Sequence, residues 1–218
     1  MEVTTGMASD SKFTSHLFSF DAAWSPINHF GVKTQLITKG YSNRLERLRY
    51  YDFGLVYYKK IGDQNQLELN GGYGNGYVTG GAERYSSGSH TDYQTITITP
   101  TYRKFYSDTA FDKWYLTSAF VITNTENPLE IALGLEAQYI DFNKYVYINH
   151  EDWVYNNPFD FVALNPFINS RYGQGPFKIR TSFGYAFPIN VPESPGIQHP
   201  VYNRLMVNFG LSLVLGEE

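Results

Sequence analysis

Alternation of apolar and small or polar residues with a period of two, sustained over most of the chain, is the feature that most restricts its fold. From Arg204 to Leu215, one face collects Leu205, Val207, Phe209, Leu211, Leu213 and Leu215, with Asn208, Gly210 and Ser212 on the reverse. Phe177 to Phe187 sets Phe177, Ile179, Phe183 and Phe187 against Lys178, Arg180, Ser182 and Gly184. Leu67 to Tyr77 sets Leu67, Leu69, Tyr73 and Tyr77 against Glu68, Asn70, Gly72, Gly74 and Gly76. The pattern recurs around Phe18–Trp24, Tyr51–Tyr57 and Ile131–Tyr139. No stretch of similar length places apolar residues at i, i+3, i+4 and i+7, so almost no helix is expected. The chain reads as all-β.

Such a chain of 218 residues needs only one domain, 1–218. Short turns (25–31, 61–65, 124–128, 172–176), rich in Gly, Pro and Asn, fall at one end of the strands. The long polar connections (40–49, 80–112, 143–160, 188–203) fall at the other, an asymmetry of outer-membrane barrels. Strands over 2–8, 16–25, 31–39, 50–60, 66–79, 113–123, 129–142, 161–171, 177–187 and 203–215 make an antiparallel up-and-down transmembrane β-barrel of about ten strands, with eight or twelve as alternatives. The ambiguity is Tyr93–Lys104, whose Thr95-Ile-Thr-Ile-Thr99 has strand character. It reads as part of an extracellular loop or hairpin extension over 80–112; alternatively it spans and 113–123 is the extension.

Which face looks outward follows from the small residues. Gly54, Gly72, Gly74, Gly76, Gly134, Gly184, Gly210, Ala23, Ala132, Ala186, Ser19, Ser118 and Ser182 are assigned to the face bearing Asp21, Asp52, Glu68, Glu136, Lys178 and Arg180. A solvated face would use fewer glycines, because strand Gly is destabilising and marks close approach or curvature. Small residues with a few charges suit a narrow lumen, and the Leu, Phe, Val and Tyr face suits lipid. Tyr51, Tyr57, Tyr77, Tyr139 and Phe187 fit aromatic girdles. A water-soluble ligand-binding barrel, its apolar face turned inward, is the competing arrangement.

Composition agrees. Mean hydropathy is −0.35 although 17% of residues are aromatic, as expected when lumen and lipid faces are averaged. A net charge of −4 offers no footprint for nucleic acid. Without cysteine there is no disulfide framework, thiol catalysis or zinc–thiolate site.

The run Phe20-Asp-Ala-Ala-Trp-Ser-Pro-Ile-Asn-His-Phe-Gly31, then Tyr51-Asp-Phe-Gly-Leu-Val-Tyr-Tyr-Lys-Lys-Ile-Gly62 and Leu67-Glu-Leu-Asn-Gly-Gly-Tyr-Gly-Asn-Gly76, resembles the small, porin-like outer-membrane β-barrel proteins of Bacteroidota. Leu164-Asn-Pro-Phe through Phe187-Pro-Ile-Asn190 and Phe209-Gly-Leu-Ser-Leu extend the resemblance over most of the chain. It implies a secreted precursor, often with a lipidated N-terminal Cys, and no common enzymatic activity. This sequence begins at Met1 with neither signal peptide nor Cys, so a targeting segment is expected to have been removed.

The lumen charges Asp21, Asp52, Glu68, Glu136, Lys178 and Arg180 form either an acid–base set or, more simply, a paired network plugging a narrow barrel. Gly72-Tyr-Gly-Asn-Gly76 opens no helix, which separates it from a phosphate loop. His90 in Tyr85-Ser-Ser-Gly-Ser-His-Thr-Asp92 matches no hydrolase spacing. Asn149-His-Glu-Asp-Trp153 holds oxygen ligands without calcium-loop spacing. Candidate loop contacts are Arg44, Arg47 and Arg49, toward lipopolysaccharide phosphates, and Tyr147, Trp153 and Tyr155, toward a sugar, a protein or the membrane interface.

The expected function is that of a non-enzymatic accessory subunit of a cell-envelope assembly in the outer membrane. It has a plugged lumen, no cofactor or metal, and as partners outer-membrane lipid and other surface proteins. The alternatives are a small porin and a lipid-modifying enzyme.

Overall fold

A computed structural model of the chain describes residues 2–9, 16–39, 47–92, 95–123, 128–148, 154–156, 158–190 and 205–214. These residues form strands β1 (Glu2–Ser9), β2 (His16–Ile27), β3 (Phe30–Lys39), β4 (Arg47–Ile61), β5 (Asn65–Asp92), β6 (Thr95–Thr123), β7 (Leu129–Ile148), β8 (Val154–Asn156), β9 (Phe159–Tyr172), β10 (Phe177–Tyr185), β11 (Phe187–Ile189) and β12 (Leu205–Val214). Ten of them close a ring. Each pairs antiparallel with its neighbours in the order β1 to β7, β9, β10, β12, and β12 pairs back to β1 from Glu2↔Val214 to Ser9↔Val207. β8 lengthens the wall beside the end of β7, and β11 continues the line of β10 beside β9.

The Thr95-Ile-Thr-Ile-Thr99 ambiguity resolves in favour of the hairpin extension, with the extension and the spanning segment continuous. Both candidate segments belong to one strand, β6, paired to β5 without interruption from Asn65↔Ile122 to Asp92↔Thr95. The ring accounts for only part of this hairpin. β4 accompanies β5 as far as Thr79, and β7 accompanies β6 as far as Tyr106. Beyond them Gly80–Asp92 and Thr95–Phe105 continue as a two-stranded ribbon of roughly 40 Å.

At the other end the strands are joined tightly. Asn28-His29 links β2 to β3, with His29 at φ 74°. That conformation is uncommon for a residue with a Cβ. It is braced by His29 Nδ1 at 3.0 Å from Tyr58 O and by Ser25, whose Oγ lies 2.8 Å from Phe30 O and 2.6 Å from Tyr58 Oη. Gly62, φ 71°, occupies the same left-handed region in the β4–β5 turn, where its missing Cβ removes the penalty.

The ring has an inside-out distribution of residues. Exposed on its outer face are Leu55 (63%), Leu116, Leu133, Leu135, Phe183, Phe209 and Leu211 (64%), among many others. A water-soluble monomer rarely exposes a contiguous apolar surface beyond a few hundred Å². Along β7 the outward apolar run from Leu129 to Tyr139 covers, at typical strand tilt, roughly 25 Å, the height of the lipid-facing band of outer-membrane barrels. One outward assignment differs from expectation. Ser118 stands opposite Leu69 and Leu135 on the outer face, because Ala119 rather than Ser118 shares parity with Tyr115 and Thr117.

Candidate functional site: a two-tier lumen

All six lumen charges read from the sequence share the inner face, and the cations that serve the acids are largely different ones. Asp21 and Asp52 are each only 6% exposed. Gln35 Nε2 donates to Asp21 Oδ1 at 2.5 Å, and Tyr50 Oη donates to Asp52 Oδ2 at 2.8 Å. Glu68 accepts from Gln66 Nε2 at 2.6 Å. Glu136 accepts from Thr117 Oγ1 at 3.0 Å and from Gln138. The cation between these acids is Lys113, whose ammonium lies 4.7 Å from the Tyr50 ring centroid and 4.9 Å from that of Tyr115. Its charge acts on both Asp52 and Glu136, as does that of Lys33. At the turn end Arg171 pairs with Glu130 at 2.7 Å. Lys113, Lys33, Glu130 and Arg171 were legible by parity, since Lys113 alternates with Phe111 and Tyr115 and Lys33 with Gln35. Lys178 and Arg180 face the lumen from β10, opposite Ser212 and Gly210.

The inner face also carries large rings, which a reading of it as small and charged does not anticipate. They lie across glycines. Gly72 stands opposite Tyr115, Gly76 opposite Phe111 and Gly134 opposite Phe167. A Cβ built on Gly72 would meet Tyr115 Oη at 2.6 Å and collide with Phe53 O; one on Gly76 would collide with the Phe111 ring. Strand glycines thus receive cross-strand aromatics. Gly76→Val should cost about 1–3 kcal/mol by overpacking, measured by urea unfolding of the refolded barrel. Gly71 faces outward, with its nearest such contact, Leu116 Cδ1, at 3.6 Å, and Gly71→Ala should be neutral or slightly stabilising.

Toward the loop end these rings form a buried cluster. Ile140, Phe142, Phe161 and Ala163 form a buried cluster with Phe111 and Phe159 packed against it. Phe142 stacks on Phe159 at 4.7 Å and on Phe161 at 5.9 Å, and Tyr50 stacks on Phe111 at 6.0 Å. The lumen therefore has two tiers. An aromatic cluster from β4, β6, β7 and β9 packs toward the loop end, and charged and amide groups line a cavity of about 540 Å³ at the turn end.

On the outer face Tyr73, Trp114 and Tyr139 make a continuous girdle, with centroids 5.3 and 5.7 Å apart. Just beyond it, toward the loop end, Asp112 accepts from Asn75 Nδ2 at 2.8 Å, from Asn143 Nδ2 at 2.6 Å and from Tyr73. An apolar belt edged by aromatics and then by carboxylate and amide groups matches a lipid–water boundary. The chain is an outer-membrane β-barrel. A closed single-chain ring with an even number of antiparallel strands, short turns at one end and this belt is the architecture of that membrane.

Of the loop candidates, Arg49 is exposed on β4, opposite Thr38 and Tyr77. Arg47 pairs with Thr79, and Tyr147 with Tyr155, through the backbone; their side chains lie outside the described residues. Arg44, Trp153 and the 149–153 run lie outside them altogether, as does the His90 side chain.

No protein-family model and no curated protein sequence matches the chain. Among solved structures it is similar to the KdgM porin (10% identity, TM-score 0.45, 99% of this chain and 100% of that one). It is also similar to the translocator domain of autotransporter NalP from Neisseria meningitidis (7%, 0.48, 98% and 86%) and to LpxR from Salmonella typhimurium (7%, 0.41, 98% and 99%).

Proposed function

We propose that this barrel is a non-conducting accessory subunit of a cell-envelope assembly, oriented with its long connections outside the cell, and that it engages its partner through the β5–β6 ribbon. The observation that carries this reading is the ribbon itself. Thirteen paired rungs, Gly80↔Ser107 to Asp92↔Thr95, rise past the wall, and most of them have no third strand among the described residues. An isolated two-stranded ribbon is marginal in water, and its open edges are templates for an added strand. Pro100, opposite Ser87, supplies no N–H, which interrupts the β6 edge and leaves that of β5 as the better template. The aromatic cluster beneath supports the non-conducting part, since its stacked rings project inward from the wall and narrow the lumen.

Replacing residues 81–106 by Asn-Gly leaves Gly80 and Ser107 to close a two-residue hairpin. The shortened barrel should fold and keep heat-modifiable migration. Native co-purification in mild detergent should yield a complex with the full chain and none with the short one. A complex surviving the truncation, or a full chain that purifies alone, contradicts the proposal. Steady single-channel currents from the full chain in planar bilayers would favour the small porin instead.

A further inference from the structure

The turn-end cavity holds a strong donor, Arg180, that has no partner among the described residues. Arg180 on β10 stands directly opposite Arg171 on β9, and both line the cavity. Like charges directly across a strand pair repel, and such a pair persists where anions compensate it. Arg171 has its carboxylate, Glu130, at 2.7 Å. Arg180 makes no hydrogen bond or ion pair among the described residues. The remaining carboxylates of the cavity are engaged elsewhere, Asp21 by Gln35 and Glu68 by Gln66.

A guanidinium in a half-enclosed lumen, beside a second one, is a fork shaped for the paired oxygens of a carboxylate or phosphate group. Asn169, Gln66 and Tyr58 line the same cavity and supply neutral hydrogen-bonding groups. Its volume of about 540 Å³ is that of a small-molecule pocket. Because aromatic rings cluster toward the loop end, the ligand enters from the side of the short turns.

We infer that the turn-end cavity is a binding site for a small polar molecule bearing an oxyanion, carboxylate or phosphate, held by Arg180. The inference stands apart from the ribbon reading, because the site lies at the opposite end of the barrel and remains when the ribbon is removed.

The folded full-length barrel in a neutral detergent, titrated calorimetrically with sodium phosphate and separately with sodium acetate at constant ionic strength, tests it. Saturable binding of phosphate alone assigns a phosphate-bearing ligand, and of acetate alone a carboxylate-bearing one; binding of both leaves the oxyanion class. Arg180→Gln should weaken binding about tenfold or more, the usual worth of a charged hydrogen bond. Lys59→Gln, a charge change on the outer face, should leave it unchanged. Should the Gln variant not fold, Arg180→Lys carries the test, keeping the charge and losing the fork, with an expected several-fold loss. No saturable binding of either anion, or equal affinity in the wild type and the folded Arg180 variant, overturns the inference.

Discussion

Leu133→Arg should destabilise the barrel by about 2–4 kcal/mol when folding is measured in phospholipid vesicles, the cost of a cation at the midplane of a transmembrane barrel's outer face. Leu133 lies on β7 midway between Leu129, near the turn end, and Tyr139 in the loop-end girdle, and it is 46% exposed. The discriminating feature is depth. Leu129→Arg, on the same strand and face near the edge of the belt, should cost only about 0–1 kcal/mol, because the guanidinium reaches the interface. Urea titrations of both variants, read by tryptophan fluorescence, give the difference directly. If both substitutions are equally harmless, the apolar belt does not face lipid. The barrel would then be a soluble one with an unusual surface.

The second large effect is inside. Lys113→Met should cost about 3 kcal/mol, the lower end of what removing one partner from a buried charge cluster costs. Met keeps the length and apolar contact of the lysine stem, so lost packing contributes little. Lost is the charge that balances Asp52 and Glu136, together with the cation's contact with the Tyr50 and Tyr115 rings. Asp52 has one oxygen on the Tyr50 hydroxyl, while its buried Oδ1 has no hydrogen-bond partner among the described residues, so its charge depends on through-space compensation. Adding Asp52→Asn to Lys113→Met should therefore recover part of the loss. A double-mutant cycle in denaturant measures this, and strict additivity would show that the two groups do not interact.

Much of the fold was legible because strand parity is a strictly local property. Phe177 to Phe187 or Leu67 to Tyr77 alternates whatever the rest of the chain does, and once one face is apolar, every side chain's side is set. The ten ring strands, the short turns and the lumen positions of Asp21, Asp52, Glu68, Glu136, Lys178 and Arg180 all followed from it. Ser118 was misassigned where two small residues, Ser118 and Ala119, are adjacent and polarity alone does not choose between them.

Side chains meeting across strands were a different matter. That Lys113 rather than Arg180 serves Asp52 depends on which strands are neighbours and in what register, as does the fact that Phe111 covers Gly76. The inner rings were missed for the same reason. An aromatic beside a polar residue looks like a girdle member until its partner strand presents a glycine. The ribbon's length, too, is a matter of pairing, because 80–112 reads as a loop or hairpin extension of unset extent until each rung of β5 finds its partner on β6.

The amino-acid sequence by itself determined the secondary structure, the two faces of the wall and the end at which the turns lie, because each is encoded within a few residues along one strand. Only the tertiary structure decided which rings cluster in the lumen, which charges are paired and which cation has no partner among the described residues. Those outcomes depend on which strands are neighbours and in what register: β9 lies beside β7 and β10 beside β12, and the β9–β10 register sets Arg180 opposite Arg171.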